Sequence, residues 1–236
     1  MVIKYLKLPF LFDALQLQNA VNDLVSAKWQ MHYQTLHYDG EWSAIPLRSV
    51  DGKTDSIMVS PISDVVYSDT AFLQNSPYLK TVLQTFLCPL QAVRLLKLNA
   101  GSRIKEHRDA ELNFEKGEIR LHIPIVTHPD VAFYLDSERM YLKEGECWYM
   151  NFNLPHHIAN NSPIDSVHLV IDATVNDWVV QLFFRSDIVI KKEIEDSCIQ
   201  YPPEVKKLMI EQLRAMNTSV SNQLADELES SLQDQV

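Results

Sequence analysis

Two histidines and an aspartate could hold a metal ion in this chain of 236 residues. His107 and Asp109 are two apart, and 47 positions beyond Asp109 stands the pair His156-His157. On a β-strand, residues i and i+2 share a face with their α-carbons about 7 Å apart, so both side chains of His107-Arg108-Asp109 can converge on one cation. The third ligand must come from a distant segment, and either member of the histidine pair can supply it. Two histidines and one carboxylate on one face of an octahedron leave three positions open, the arrangement of non-haem iron(II) oxygenases. Those positions suit a chelating 2-oxo acid plus O2. Zinc uses the same donors, and donor type alone does not separate it from iron.

The elements that must position these residues read mainly as β with flanking helices. Residues 2–8 have a strand pattern, and Asp13 is placed to cap a helix running to about Trp29, with Leu17, Ala20, Val21, Leu24 and Val25 on one face. A strand follows over Ala44–Val50, then a polar loop over 53–76. Pro77 opens a short helix that Pro89 ends, and 90–98 is a strand. Beyond it the spacing predicts short strands at 103–109, 118–126, 131–135, 139–143, 146–152 and 166–174. Gly117, Pro129-Asp130, Asp136-Ser137 and Glu144-Gly145 turn the chain between them, and the histidine pair falls in a loop before the last strand. Many short strands at this spacing make a sandwich or jelly roll. After Phe184 the composition changes, which divides the chain into a domain over 1–184 and a helical extension over 185–236. The extension carries two apolar stripes: Val205, Leu208, Met209, Leu213 and Met216, then Val220, Leu224, Leu228 and Leu232. They could cover the sandwich or form a homodimer contact.

The charge is acidic, with 31 Asp and Glu against 21 Lys and Arg, which excludes a basic nucleic-acid groove or an anionic-membrane surface. No run reaches the roughly 20 apolar residues of a membrane helix. Three widely spaced cysteines, Cys88, Cys147 and Cys198, and no signal-peptide pattern at the N-terminus fit a reducing cytoplasm. His32 and His37 interleave with Trp29, Tyr33, Tyr38 and Trp42 at a spacing that suits a surface or core role, and Arg48 is placed where it could contact a substrate carboxylate.

The phrases LNAGSRIKEHRD, EIRLHIPIVTHP, GECWYMNFNLPHHIANNS and VHLVIDATVNDW, with the earlier YDGEWSAIPLRS, occur here in one order. In that order they resemble the aspartyl/asparaginyl β-hydroxylase family of 2-oxoglutarate-dependent oxygenases, which includes bacterial proline hydroxylases. The resemblance spans about residues 29–180. It implies a double-stranded β-helix core (jelly roll, cupin-like) and iron(II) bound by an HxD…H set. It also implies O2 and 2-oxoglutarate as co-substrates, the latter becoming succinate and carbon dioxide while an unactivated C–H bond is hydroxylated. Residue by residue, it assigns His107 and Asp109 as the first two ligands. The family's distal histidine stands four before an asparagine, as His156 stands before Asn160, so the third ligand is His156 and not His157. Arg120 and His122 match positions that touch the polar end of the co-substrate.

One position departs from the pattern. Ten residues after the distal histidine the family carries an arginine that clamps the far carboxylate of 2-oxoglutarate; here the phrase is Asp165-Ser166-Val167-His168-Leu169. A buried carboxylate needs a cation, and a forked guanidinium is its best partner. Arg120, Arg103 and a protonated His168 are the replacements the sequence offers. Two functions follow as expectations. One is an iron(II)/2-oxoglutarate hydroxylase acting on a free amino acid, a carrier-bound amino acid or a small peptide, with the 53–76 loop and the aromatic stretch 29–42 lining its pocket. The other is a non-catalytic jelly-roll binding or scaffold protein that has lost the clamp.

Overall fold

A computed structural model describes residues 3–24, 27–60, 65–185, 203–215 and 218–233. The chain divides into two compact units, residues 1–186 and 187–236.

The first unit is two antiparallel sheets facing one another. The larger has the order β1 (Tyr5–Leu11), β11 (Glu146–Met150), β8 (Glu118–Val126), β13 (Ser166–Thr174), β6 (Leu90–Leu98), β4 (Trp42–Val50) and β2 (Gln30–Met31), with β5 (Tyr67–Asp69) added to β4. The smaller runs β10 (Glu138–Met140), β9 (Val131–Leu135), β12 (His156–Asn160), β7 (Arg103–His107) and β3 (Tyr38–Asp39). This is a jelly-roll arrangement, mainly β with flanking helices.

Alternation along the central strands divides the large sheet into two faces. On β8, Ile119, Leu121, Ile123 and Ile125 are buried on the outer face, joined there by Val93, Leu95, Leu169 and Ile171. Helix α1 (Ala14–Asn22) crosses β8 and packs on α3 (Pro77–Gln84), supplying Leu17 and Ala20 to this layer. Asp13 caps α1 by accepting the Gln16 amide at 3.0 Å. A four-residue helix α2 (Ala71–Gln74), capped by Thr70, and a helix α4 over residues 177–185 complete the cover. Between the sheets, Phe133, Leu135, Met140, Met150 and Phe152 form one apolar cluster, and Tyr38, Trp42, Leu98 and Ile104 form another.

Several boundaries differ from the sequence expectations. The first strand is Tyr5–Leu11 rather than 2–8; Val2 lies outside the described residues. Helix α1 stops at Asn22, since Asn22 and Asp23 are weak helix formers, and Val25 is outside the described residues. The polar stretch 53–76 contains β5 and α2. Strand β7 ends at His107, two residues short of Asp109, and β10 covers Glu138–Met140 rather than 139–143. The histidine pair is not in a loop but opens β12, because backbone partners on both sides draw a polar segment into the sheet. Cys88 and Cys147 are free thiols, and Cys198 lies outside the described residues. Among the described residues no helix is long and apolar enough to cross a membrane.

In the second unit α5 (Pro203–Ala215) and α6 (Ser219–Gln233) pack on each other, burying Ile210 and Ala225. Thr218 and Ser221 cap the start of α6 reciprocally, each side chain accepting the other's amide at 3.0 Å. The apolar stripe expected on α5 is only partly covered: Val205 and Leu208 are exposed, and Met216 lies outside the described residues.

Two turns hold the hairpins in register. Asp136 and Ser137 both have positive φ, 48° and 65°, the two-residue geometry that matches strand twist. Gly145 has φ +78°, donates to the Pro124 carbonyl and accepts from the Phe12 amide at 2.9 Å each. A β-carbon there would collide with the Phe12 carbonyl oxygen. Gly145→Ala is expected to destabilise the fold by at least about 2 kcal/mol, whereas Gly117→Ala, at a similar φ with open space around it, costs less. Urea unfolding of the two variants tests the difference.

Candidate metal centre

The third donor reaches the first by direct strand pairing. His156 on β12 stands opposite His107 on β7, and their ring centroids are 4.2 Å apart. Asp109 follows β7 and is fastened by its amide to the Phe152 carbonyl at 2.9 Å. The ligating atoms of His107, Asp109 and His156 all lie within 4.8 Å of one another, and this is the one such group of three among the described residues. His157, one position on, turns to the other face, where it stacks on Tyr134 at 4.7 Å and approaches Glu106.

Backbone carbonyls choose the tautomers. His107 Nδ1 lies 2.8 Å from the Lys105 carbonyl oxygen, and His156 Nδ1 lies 3.0 Å from that of Leu154. A carbonyl oxygen only accepts, so each Nδ1 carries the proton and each Nε2 presents a bare lone pair. Burial pushes the His156 pKa down to about 4, so that imidazole is neutral at physiological pH. Asp109 contributes one oxygen: Arg120 Nη1 donates to its Oδ2 at 2.6 Å, while Oδ1 faces His107 Nε2 at 3.8 Å. Burial alone would raise the Asp109 pKa. The Arg120 guanidinium and the two imidazoles outweigh it and hold the carboxylate below its usual range. Two bare imidazole nitrogens and one free carboxylate oxygen fit a divalent iron ion.

Behind the tripod lies a chain of buried charges. Arg120 Nε donates to Asp172 Oδ1 at 2.6 Å, and Arg94 Nη2 donates to Asp172 Oδ2 at 2.7 Å. Asp172 is 1% exposed and Arg94 3%. Neither arginine can be held without its carboxylates, because an unpaired buried charge is costly. For Arg120, burial works against the charge, but Asp172 and Asp109 reverse the effect and raise its pKa. Arg120 therefore pairs with Asp109 and Asp172.

The tripod and the charge chain share a cavity of about 730 Å³ between the sheets, which Arg120, His122, Ser166 and His168 also line. His122 and His168 meet Nδ1 to Nδ1 at 3.2 Å, and His122 Nε2 is buried with no partner among the described residues. Burial lowers the His168 pKa to about 4, so this ring is not the replacement cation. Nor is Arg103, which is exposed and tied to Asp39 at 2.7 Å. Arg48 braces β4 against β5 through Asp69 and the Tyr67 carbonyl, outside the cavity lining. His32 is a cavity wall, stacked on Trp42 with centroids 3.5 Å apart, and His37 lies 5.1 Å from His107.

Sequence reasoning missed Arg94 and Asp172. Each interrupts an apolar strand with a charge, LQAVRLLKL and VHLVIDAT, and that interruption was the available signal. Asp172→Ala strands the Arg94 guanidinium, leaves Arg120 with Asp109 alone, and is expected to cost about 3–5 kcal/mol in chemical denaturation. Removing the half-buried Asp165, which lies 3.6 Å from Lys97 and accepts the Ala100 amide at 3.0 Å, is expected to cost only about 1–2 kcal/mol. Stability is also expected to fall with acid. His32, His156 and His168 have pKa values near 3, 4 and 4 in the fold, against 6.5 ordinarily. Between those values the unfolded chain binds more protons, so their contribution is complete above pH 6.5 and drains away as pH falls toward 4. At pH 5 each such group costs on the order of 1–2 kcal/mol, read as a drop in Tm of the metal-free protein.

Comparison with known proteins gives the chain a family. The family described as aspartyl/asparaginyl beta-hydroxylase matches residues 13–175. L-proline cis-4-hydroxylase of Rhizobium meliloti (strain 1021) is 27% identical over 164 residues, 68% of this chain and 57% of that protein. L-proline cis-3-hydroxylase 2 of a Streptomyces species is 25% identical over 138 residues, 57% of this chain and 47% of that protein. The chain spans about half the length of these curated relatives. Among solved structures, a 2OG-Fe(II) oxygenase family oxidoreductase from Burkholderia pseudomallei aligns at a TM-score of 0.46 with 12% identity, covering 70% of this chain and 84% of that one. With the family match extending over residues 13–175, the chain belongs to the aspartyl/asparaginyl β-hydroxylase family.

Proposed function

We propose that this protein is a non-haem iron(II) oxygenase that uses a 2-oxo acid and O2 to hydroxylate a C–H bond of an amino acid. The observation that carries the reading is the convergence of two bare imidazole nitrogens and one free carboxylate oxygen within 4.8 Å. His107, Asp109 and His156 are the proposed ligands. Iron(II), when bound there, supplies the redox centre at which a 2-oxo acid and O2 meet.

The chain's own residues do the positioning. The Lys105 and Leu154 carbonyls hold the two imidazoles in the ligating tautomer, and Arg120 holds Asp109 to one free oxygen. Arg120 lies over the Phe152 ring at 5.6 Å, and that ring meets His156 edge-on at 4.7 Å, an aromatic wall beside the tripod. Arg94 lines the cavity with its Nε unpartnered among the described residues, beside the arginine–aspartate chain, and is suited to receive the carboxylate of an amino-acid substrate. The proline hydroxylases among the relatives favour a free amino acid over a carrier-bound one or a peptide. The domain that does this is taken as 1–184, with 185–236 as a helical extension.

Ser166 favours a second reading, a jelly-roll protein that binds without catalysis. Metal binding and turnover separate the two. Protein prepared without oxygen is expected to take up one iron(II) per chain, and to consume O2 and a 2-oxo acid when L-proline and other amino acids are offered. His107→Ala and His156→Ala are expected to lower metal affinity more than about a hundredfold, since removing even an outer partner of a ligand costs 10–100-fold. His157→Ala is expected to leave metal affinity within about threefold. Tight iron binding with no oxygen consumption on any substrate would favour the non-catalytic reading.

A further inference from the structure

The cavity has two ends of opposite character. One holds Arg94, Arg120, Asp172 and Asp109, joined by the hydrogen bonds described above. The other is built where Ser166 on β13 faces Leu98 on β6 and His168 faces Leu96. Leu98 packs there with Ile104 and Ile158, and Phe133 meets the His122 ring edge-on at 6.1 Å. All of these residues line the one cavity.

No cation serves this second end among the described residues. Arg94 stands opposite Val170, four residues along β6 from the partner of Ser166, roughly 13 Å at the strand rise. Its guanidinium is drawn toward Asp172, six residues beyond Ser166 on β13. Arg120 is drawn the same way, and Arg108, the remaining arginine of the lining, donates to the Asn153 carbonyl at 3.2 Å. Lys97 projects from the other face of β6, where it meets Asp165 and lies over Trp29 at 5.0 Å.

The polar groups that remain are neutral, since burial disfavours the charged form of both His122 and His168. Two imidazole nitrogens 3.2 Å apart share one proton, so one of His122 and His168 donates and the other accepts. Their Nε2 atoms then present one donor and one acceptor, and His122 Nε2 has no partner among the described residues. Ser166 Oγ donates to the Val126 carbonyl at 3.3 Å, which occupies its proton. A carboxylate placed here would lose its hydration and find no positive charge, a costly transfer. Aliphatic or aromatic groups lose nothing by the same move and gain by burial.

We propose that the 2-oxo acid taken by this site carries an uncharged side chain: an aliphatic or aromatic 2-oxo monocarboxylic acid, its tail among Leu98, Ile104, Ile158, Phe133 and the His122–His168 pair. The inference rests on the oxygenase reading and gives its co-substrate class. The chemistry balances as it does for any 2-oxo acid. The C1–C2 bond breaks to release carbon dioxide, and one oxygen atom of O2 enters the new carboxylate and the other the hydroxylated product. Of the four electrons that reduce O2, two come from the 2-oxo acid and two from the C–H bond. Ser166 is a specificity-determining residue on this account, since an arginine there would supply the missing charge.

Calorimetry on the full chain loaded with manganese(II) tests this without turnover. Metal occupancy is measured first, and the loaded protein is then titrated with 4-methyl-2-oxopentanoate, phenylpyruvate and 2-oxoglutarate. At least one of the two monocarboxylic acids is expected to bind ten or more times tighter than 2-oxoglutarate, in a metal-dependent manner. The Ser166→Arg variant, where it folds, is expected to reverse that order; the wild-type comparison stands without it. Equal or tighter binding of 2-oxoglutarate by the wild type overturns the tail assignment and leaves the oxygenase reading intact. Binding of none of the three acids to a metal-loaded protein removes the oxygenase reading and this inference with it.

Discussion

Two arginines close on one buried carboxylate. Asp172 accepts from Arg94 and from Arg120, and Arg120 passes the connection to Asp109. The four charges sum to zero inside a sandwich otherwise filled with apolar side chains. Paired in this way they can be buried; singly none could be. The consequence for the metal centre is geometric. Asp109 lies beyond the end of its strand, where a side chain has rotational freedom, and the guanidinium removes that freedom by engaging one oxygen and aiming the other at His107. Ligand geometry on β7 thus depends on charges carried by β6, β8 and β13 in the opposite sheet.

The division of labour between the two faces of the large sheet follows from the same strands. On β8, odd-numbered residues are apolar and face the helices, while Arg120 and His122 on the even positions face the cavity. One strand therefore anchors the core and carries the chemistry, and the helix α1 on its outer side keeps it in place. The small sheet contributes the two histidine ligands and apolar side chains. The cavity is what remains where neither apolar cluster fills the gap.

Much of this was legible in the chain. The two-residue spacing of His107 and Asp109 signals a shared face because strand side chains alternate, and the turn residues between short apolar runs mark out a jelly roll. Leu121, Ile123 and Ile125 announce a buried face by the same period. What was hidden depends on contacts far apart in the chain. Arg120 and Asp172 are 52 residues apart, and nothing local to either says that they meet. Arg94 sits in a run that reads as an ordinary core strand. The segment after Pro155 looks like a loop because His157, Asn160 and Asn161 are polar, yet pairing with β7 and β9 makes it a strand. The exchange of arginine for serine at position 166 was visible as a departure. What surrounds it, a neutral histidine pair and aliphatic side chains, needed the folded arrangement.

Strand β12 is paired along both edges, with β7 on one side and β9 on the other. The choice of third ligand is therefore written into the alignment of neighbouring backbones. Sliding β12 by a single residue would bring the imidazole now stacked on Tyr134 into the cavity and send the present one outward. A one-residue insertion or deletion in the 151–155 turn would consequently trade one histidine for its neighbour, and lineages that vary in length here would have to change both flanks together to keep the same donor.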